Sequence, residues 1–500
     1  MTEKGYMTDI YKQLEEVMNK CDNLSRELKT VKKDTEKKYK LEIKKINEEH
    51  KKEVTSLKHE IKTLKEENKK LNNEIDRLRK QINNNSDNSS NPPSSDIKPN
   101  KRIITNNRNK LNRTVGGQYG HKGYCLSKQD VEDKISNKEY IHEIINVGKV
   151  SDTYISKYII DIQVNVIAKE FRFYQDENGK YNIPKDFQTD VQYGSEIKTL
   201  CSVLNTEGIV AVNRLTDFVS SISHGKLNIS NGSIINFIEQ LKNKCNPIIK
   251  KIEGKILNST LMYTDATTSR CDSKNICVRN YSTDKYTLLK ATQGKGKKYI
   301  SETNILPQYT GNLVHDHETL MYNYGKNHIE CNVHISRYLK GCYENTQNSW
   351  AKNMRNFLLS LNEYKKMLIE KDIKSVSKEK LIAYSLRYDE ILMEGFKENT
   401  KVKSIFYKKE ERKLLNRLEK YKENHLMFMY DFNLPFDNNL SERELRHVKS
   451  KQKISGYFKS ISGAQGYLDI KSIIITCKKI SLNYYEVIRN IFDNTPVTIM

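Results

Sequence analysis

The 500-residue chain has no CxxC pair, no proline before residue 92, and no apolar stretch near the ~20 residues of a membrane span. Its nine cysteines, at 21, 125, 201, 245, 271, 277, 331, 342 and 477, are odd in number and scattered. That usage argues against a disulfide framework and against a zinc ribbon. The longest aliphatic runs are of the order of Ile473-Ile474-Ile475, and the opening MTEKGYMTDIYKQ carries no apolar leader. The expected setting is therefore a reducing cytoplasm, with no membrane partner. Hydrophobic residues make up 36% of the chain, below the roughly 45–50% of ordinary globular proteins when glycine is counted. Part of the length must lie outside a compact core.

What the chain has in excess is positive charge. Lysine and arginine total 86 against 63 acidic residues, a net charge of +23. A polyanionic partner follows, with nucleic acid the first candidate.

Residues 8–83 read as one long helix. Leu57, Leu64, Leu71 and Leu78 fall at d positions, and Ile61, Asn68, Ile75 and Ile82 at a positions. β-Branched a residues with leucine at d favour a two-stranded parallel coil, and one asparagine at a costs stability but specifies register. The 3–4 spacing continues upstream, with phase breaks near Thr35 and His50. Residues 1–84 hold 22 basic and 17 acidic side chains, an interleaved coil surface rather than a basic DNA-gripping arm. The expectation is a dimerising coiled coil over 1–84.

Residues 85–125 read as a linker rich in Asn, Ser and Pro. Its second half turns basic at Lys101, Arg102 and Arg108 and leads into GGQYGHKG (116–123), a segment able to follow a DNA backbone or simply to remain solvated. Residues 126–190 alternate apolar and polar positions, as in EYIHEIINV and YIIDIQVNVIAKEFRFY, and predict a small β module. Residues 191–255 predict a helical unit, with an N-terminal capping signal at Ser230-Asn231.

From residue 256 the pattern becomes mixed α/β. TLMYTDATTSR predicts a strand ending in Asp265, and GNLVHDHETL one ending in Asp316. NHIECNVHISRYL reads as a strand running into a helix. Residues 342–430 are helical and charged, an insertion between 256–341 and 431–500. DNNLSERELR then opens a helix with Asn439 or Ser441 as N-cap and Glu442 in its first turns. The last stretch, DIKSIIITCKKISLNYYEVIRNIF, is helical.

Asp265, Asp316 and Glu442 stand out by position. Strand-end carboxylates converging with a helix-borne glutamate can hold two Mg²⁺ ions, and such a pair would clamp both oxygens of an in-line phosphoryl transfer. Taken singly, each aspartate is far more often a turn or cap residue, and Glu442 alone is a good helix N-terminal residue. Arg443, Arg446, Lys449, Lys451, Lys453 and Lys459 follow Glu442 closely and suit a phosphodiester backbone. Cys331-x2-His334, with Cys271 and Cys277, is a weaker metal pattern, since thiolates select zinc over magnesium. His334 and Arg337 share a helix face and could instead touch phosphates.

Several stretches now carry a resemblance: NSSNPPSSD, GGQYGHKG, Tyr193-Gly194, the strand with Asp265, GNLVHDHETLMYNYG (311–325), CNVHISR (331–337), DNNLSERELR (437–446) and GYFKSISGA (456–464). Together they resemble the transposases of the insertion sequence 66 family, a DDE group with an RNase H-like catalytic core. The resemblance runs almost end to end, and the DNN…ER…R element is its most specific part. It implies a catalytic triad of Asp265, Asp316 and Glu442 that uses two Mg²⁺ or Mn²⁺ ions. It also implies DNA contacts by His334, Arg337, Asn438, Asn439, Arg443, Arg446 and Lys453. The implied activity is cleavage at the element's ends, followed by attack of the freed 3′-hydroxyl on target DNA. The implied partners are element ends, target DNA, a second or further copy through the coil, and accessory element-encoded proteins. The implied location is the bacterial cytoplasm, nucleoid-associated when DNA is bound.

The chain departs from the family in two places. Residues 125–185 hold only Cys125 where relatives carry paired cysteines, so no zinc is expected. Gln452-Lys453-Ile454 replaces an Arg-Lys-Asn run. Two other readings compete: a zipper-type DNA-binding protein without catalysis, and an RNase H-like nuclease that cuts without joining.

Overall fold

The computed structural model describes residues 3–85, 87–89, 126–147, 152, 154–185, 187 and 189–498. The basic segment with Lys101, Arg102 and Arg108, and the GGQYGHKG element, lie outside the described residues. The described residues form 14 α-helices and five strands.

In chain order the first helices are α1 (Glu3–Asn83), α2 (Lys128–Ser136), α3 (Ser195–Thr206), α4 (Val212–Ile222) and α5 (Asn231–Leu257). The strands β1 (Leu261–Cys271), β2 (Lys274–Ser282) and β3 (Thr287–Thr292) precede α6 (Lys297–Thr303), and β4 (Asn312–His315) and β5 (His328–Glu330) follow it. The helices α7 (Asn332–Thr346), α8 (Ser349–Glu370), α9 (Lys378–Lys401), α10 (Ile405–Lys420) and α11 (Lys422–Tyr430) come next. The chain closes with α12 (Asn439–Ser455), α13 (Ile461–Lys479) and α14 (Tyr484–Phe492). No helix among the described residues is long and apolar enough to cross a membrane.

The chain divides into two compact units. The first comprises residues 1–84 and 399–413. Helix α1 runs unbroken through both seam phase breaks, because backbone continuity needs only helix-compatible residues. Its seam residues Leu57, Ile61, Leu64, Leu71, Ile75, Leu78 and Ile82 are exposed. Near its end Lys80 pairs with Glu410 at 2.5 Å, and Asp76 accepts hydrogen bonds from Ser404 Oγ and from Tyr407 OH.

The second unit comprises residues 85–398 and 414–500 and contains the sheet, ordered β3-β2-β1-β4-β5. β1 and β3 flank β2 in antiparallel pairing, while β1, β4 and β5 run parallel. Asp272 and Ser273 turn the β1–β2 hairpin with positive φ at both positions, the left-handed conformation a two-residue hairpin loop requires. Both faces of the sheet are covered. Met262, Tyr281, Leu288 and Leu313 pack with α5, α13 and α14 through Leu241, Ile256, Ile473 and Ile488. On the other face Ile276, Val278 and Leu289 meet Leu445 and Val448 of α12. The period of two in a strand sends Leu288 and Leu289 to opposite layers.

Edge strand β3 is capped by side chains. Alternate N–H groups of Thr287, Leu289 and Ala291 donate to Thr476 Oγ1, Ser472 Oγ and Gln465 Oε1 of α13, at 3.1, 2.9 and 2.8 Å. Spacings of four and seven align those three residues on one helix face, and the cover removes an exposed sheet edge.

Helices α7 to α11 build a separate core around Leu339, Trp350, Met354, Tyr388, Leu415 and Phe428. Gly395 is required there, since a Cβ would lie 2.6 Å from Leu415 and 2.8 Å from the Trp350 ring.

Several expectations need correction. Asp265 lies inside β1 rather than at its end, because the hairpin with β2 extends β1 well past its pairing with β4. The expected β module is not formed as a sheet: the described residues of 138–190 hold one isolated bridge, Gln175 with Tyr181, and α2 precedes them. Ile141, Ile144, Ile155 and Ile159 are exposed there, and an alternating segment stays a strand only when a neighbour takes its backbone groups and its apolar face. The N-cap of α12 is Asn438, so Asn439 is already helical. The closing helix is two helices, and the insertion begins inside α7.

Candidate active site

Parallel pairing sets two aspartates side by side. Tyr263 of β1 pairs with Val314 of β4, so the same register carried forward brings Asp265 level with Asp316, the first residue after β4. The C-terminal edge of parallel strands is where an α/β sheet opens to ligands. The Asp265 N–H donates to Asn280 Oδ1 at 2.8 Å, and its carboxylate accepts the Ala266 N–H at 2.7 Å.

Two helix N-termini meet the same edge. Strand β5 passes through Cys331 into α7, whose first turn carries His334. His334 Nδ1 lies 3.0 Å from Asp316 Oδ1 and 3.8 Å from Glu442 Oε1. Both contacts are in ion-pair range but lack hydrogen-bond geometry, and all three atoms are buried without a hydrogen-bond partner. Glu442 arrives on α12, whose entry is stitched to the core. Asn438 donates from Nδ2 to the Thr264 carbonyl at 3.0 Å and from its backbone to Cys331 Sγ at 3.3 Å. The Asn332 N–H donates to the Phe436 carbonyl at 3.0 Å.

The electrostatics follow from this crowding. Burial raises the Asp265 pKa, and the Asp316 charge raises it further. Burial also opposes the charge on Asp316, but contact with His334 outweighs it and holds that carboxyl below its ordinary value. Burial would depress His334, yet the Asp316 contact and Cys331 push it up to about 11. The His334 ring thus stands in ion-pair range of both the Asp316 and Glu442 carboxylates, where a positive charge on it would offset their repulsion.

Glu444, two residues after Glu442 and about 200° around the helix, serves a different end. It is buried and accepts Ser282 Oγ, Thr287 Oγ1 (3.0 Å) and Asn280 Nδ2 (3.4 Å), and it pairs with Lys479 at 2.6 Å. Through Asn280 this network holds the backbone of Asp265.

The other anticipated contact residues divide. Arg337 stays beside the cluster, its Nη1 3.4 Å from His334 Nε2. Asn438 is buried as a strut rather than presented to solvent. Arg443, Arg446 and Lys453 line the exposed side of α12, and Asn439 is exposed at its start.

Sequence reasoning missed a second cluster. Glu330 is fully buried and receives His317 Nδ1 (2.7 Å), Arg417 Nη2 (2.7 Å), His425 Nε2 (3.2 Å) and the Tyr322 hydroxyl. Burial disfavours its charge, but His317, His425 and Arg417 hold the carboxyl far below its ordinary value. Its partners lie 8 to 95 residues away, so no local signal marks it. Between the two clusters lies a pocket of ≈ 300 Å³ lined by Asp265, Asp316, His334, Lys295, His317 and Arg417, among others.

Asp316, Cys331 and His334 have ligand atoms within 4.8 Å of one another, without Cys271 or Cys277. Burial raises the Cys331 thiol, and its sulfur already accepts the Asn438 N–H. Burial opposes the thiolate that zinc binding requires, while the Asn438 N–H already occupies the sulfur. The carboxylates are a better match to a hard cation, with buried oxygens of Asp316 and Glu442 that no protein donor satisfies.

Comparison with known proteins bears on the same stretch. A family model described as the transposase IS66 family matches residues 191–466. A second, described only as a family of unknown function, matches residues 36–126. No curated protein matches the chain. The first match spans more than half of the sequence and includes Asp265, Asp316 and Glu442, and the chain belongs to the transposase IS66 family.

Proposed function

We propose that this chain is an active DDE transposase that cleaves its element's ends and transfers the 3′-hydroxyl strands to target DNA. The observation that carries the reading is the convergence of Asp316 and Glu442 on one imidazole, with Asp265 level with Asp316 across the parallel strands. The strand order β3-β2-β1-β4-β5, three antiparallel and two further parallel, supports an RNase H-like core.

Asp265, Asp316 and Glu442 would hold the divalent ions, Mg²⁺ or Mn²⁺. Bound there, such ions stabilise charge on the attacking and leaving oxygens of phosphoryl transfer. The chain's own part is positioning. Asn438 locks the start of α12 to β1, and Glu444 with Asn280 fixes Asp265, so the three carboxylates are set before DNA arrives. Arg443, Arg446 and Lys453 present a charged helix face to the DNA backbone, and Lys101, Arg102 and Arg108 extend that contact from the linker. Residues 191–255 supply a helical DNA-binding unit. The coil seam from Leu57 to Ile82 pairs two or more copies, as joining two ends requires, with accessory element-encoded proteins as further partners. The work is done in the cytoplasm, on the nucleoid.

The test is a Mg²⁺ or Mn²⁺ reaction with a labelled element-end duplex, run beside Glu442→Gln. The wild type forms nicked or joined product. The variant binds DNA normally but loses more than ~100-fold in product, beyond the 10–100-fold typical of an outer-shell partner. Equal cleavage by both proteins rejects Glu442 as the third acid. Binding without cleavage by the wild type favours the non-catalytic reading, and cutting without joining favours the nuclease.

A further inference from the structure

We propose that Arg417, on α10 of the insertion, grips a phosphodiester of the DNA beside the acid cluster, with Glu330 as the positioning residue that holds it there. The inference rests on the transposase reading above and adds a substrate contact to it.

The pocket of ≈ 300 Å³ is lined by Asp265 and Asp316 together with Lys295, His317 and Arg417. Its charged groups differ in how fully they are matched. Glu318 is taken by Arg279, at 2.9 and 3.1 Å, with Lys295 at 3.6 Å. Glu330 is saturated by four donors, one of them His317. Arg417 is not saturated. A guanidinium has five N–H donors on three nitrogens, and here only Nη2 has an acceptor, Glu330, at 2.7 Å. Its Nε is buried with no partner. The guanidinium also stands 5.3 Å from the Tyr338 ring centroid, which fixes its plane.

An arginine held on one edge by a buried carboxylate and on its face by a tyrosine is a preset fork with donors to spare. A planar fork matches the two non-bridging oxygens of a phosphodiester in a bidentate way that a lysine cannot reproduce. The same pocket holds two carboxylates that would carry divalent ions, so the anionic group expected between them and the arginine is a DNA phosphate. Glu330 then has a use beyond packing: it spends one guanidinium edge to aim the others. The insertion in this way completes the site instead of merely flanking it.

The experiment uses the full chain and an element-end duplex carrying single methylphosphonate linkages, which remove one phosphate charge at a time. Wild type, Arg417→Gln and Arg417→Lys are compared in binding and in Mg²⁺-dependent cleavage. About a tenfold loss, roughly 1.4 kcal/mol, is expected when wild type meets a neutral linkage near the cleavage site. Arg417→Gln should show about the same tenfold loss on unmodified DNA and no further loss at that linkage. Arg417→Lys, which keeps the charge on Glu330 paired, should also bind more weakly and lose the linkage sensitivity. Should Arg417→Gln fail to fold, the lysine variant decides alone. If both variants bind unmodified DNA like wild type, or keep the full methylphosphonate penalty at every linkage, the proposal is wrong. Wild-type protein that shows the Arg417-dependent linkage but never cleaves would overturn the transposase reading while leaving the phosphate contact standing.

Discussion

At the scale of the residue, the site is a problem of sorting charges. Glu442 and Glu444 differ by two positions in the sequence, and nothing in their local pattern separates them chemically. On the helix they face opposite directions, so one meets Asp316 and His334 and the other is absorbed by Ser282, Thr287 and Lys479. Glu330 illustrates the cost of such absorption. Removing its charge strands Arg417 without its anion, and breaking a buried pair in this way typically costs about 3–5 kcal/mol. Glu330→Gln should therefore lower the urea midpoint strongly at neutral pH. Trp350, the only tryptophan, sits buried in the α7–α11 core and reports the transition by fluorescence. The pH dependence has a definite sign. The folded pKa of Glu330 lies below its ordinary 4.5, so its stabilisation is present above about pH 4.5 and is lost as pH falls below that value. The stability gap between wild type and Glu330→Gln should shrink from pH 5 toward pH 3; a gap that stays constant would show that the charge is not what matters.

At the scale of the element, local pattern and tertiary surroundings divide the credit. The heptads of α1, the capping residues of α5 and the apolar strands β1 to β4 are legible because they are set by spacing along a few turns or a few residues. Ser230 accepts the Ser233 N–H at 3.1 Å, as its position before the helix predicts. The described residues of the alternating stretch 138–183 hold only the Gln175–Tyr181 bridge for the complementary reason: alternation marks a possible strand, and pairing makes one. The cap of β3 by Gln465, Ser472 and Thr476 was invisible in the sequence, where those three are only some of the polar residues of a mixed helix that also carries Asp469 and Lys471. In α1 the exposed seam makes a prediction. Asn68→Ile should raise the thermal stability of the coil and broaden its oligomer distribution, because an asparagine at a, once covered by a paired helix, costs stability while selecting register. Sedimentation equilibrium measures both; a wild type that stays monomeric at micromolar concentration would remove the premise.

At the scale of the whole molecule, the two compact units correspond to two tasks in the proposed function. A chain lacking residues 1–84 should keep the Trp350 transition and metal-dependent nicking but lose joined product, since pairing of ends needs paired protomers. Loss of nicking as well would mean the first unit contributes to the chemistry. The sequence by itself determined the family, the long N-terminal helix and the three candidate acids, because periodicity and short motifs are local and survive without knowledge of the fold. It placed those acids without saying that they meet. Only the tertiary structure decided that Asp265 stands level with Asp316 across parallel strands, that His334 lies between Asp316 and Glu442, and that Arg417, held by Glu330, lines the same pocket as the aspartates. Those contacts join residues tens to well over a hundred positions apart, and their energies come from burial and charge pairing, which exist only once the chain has folded.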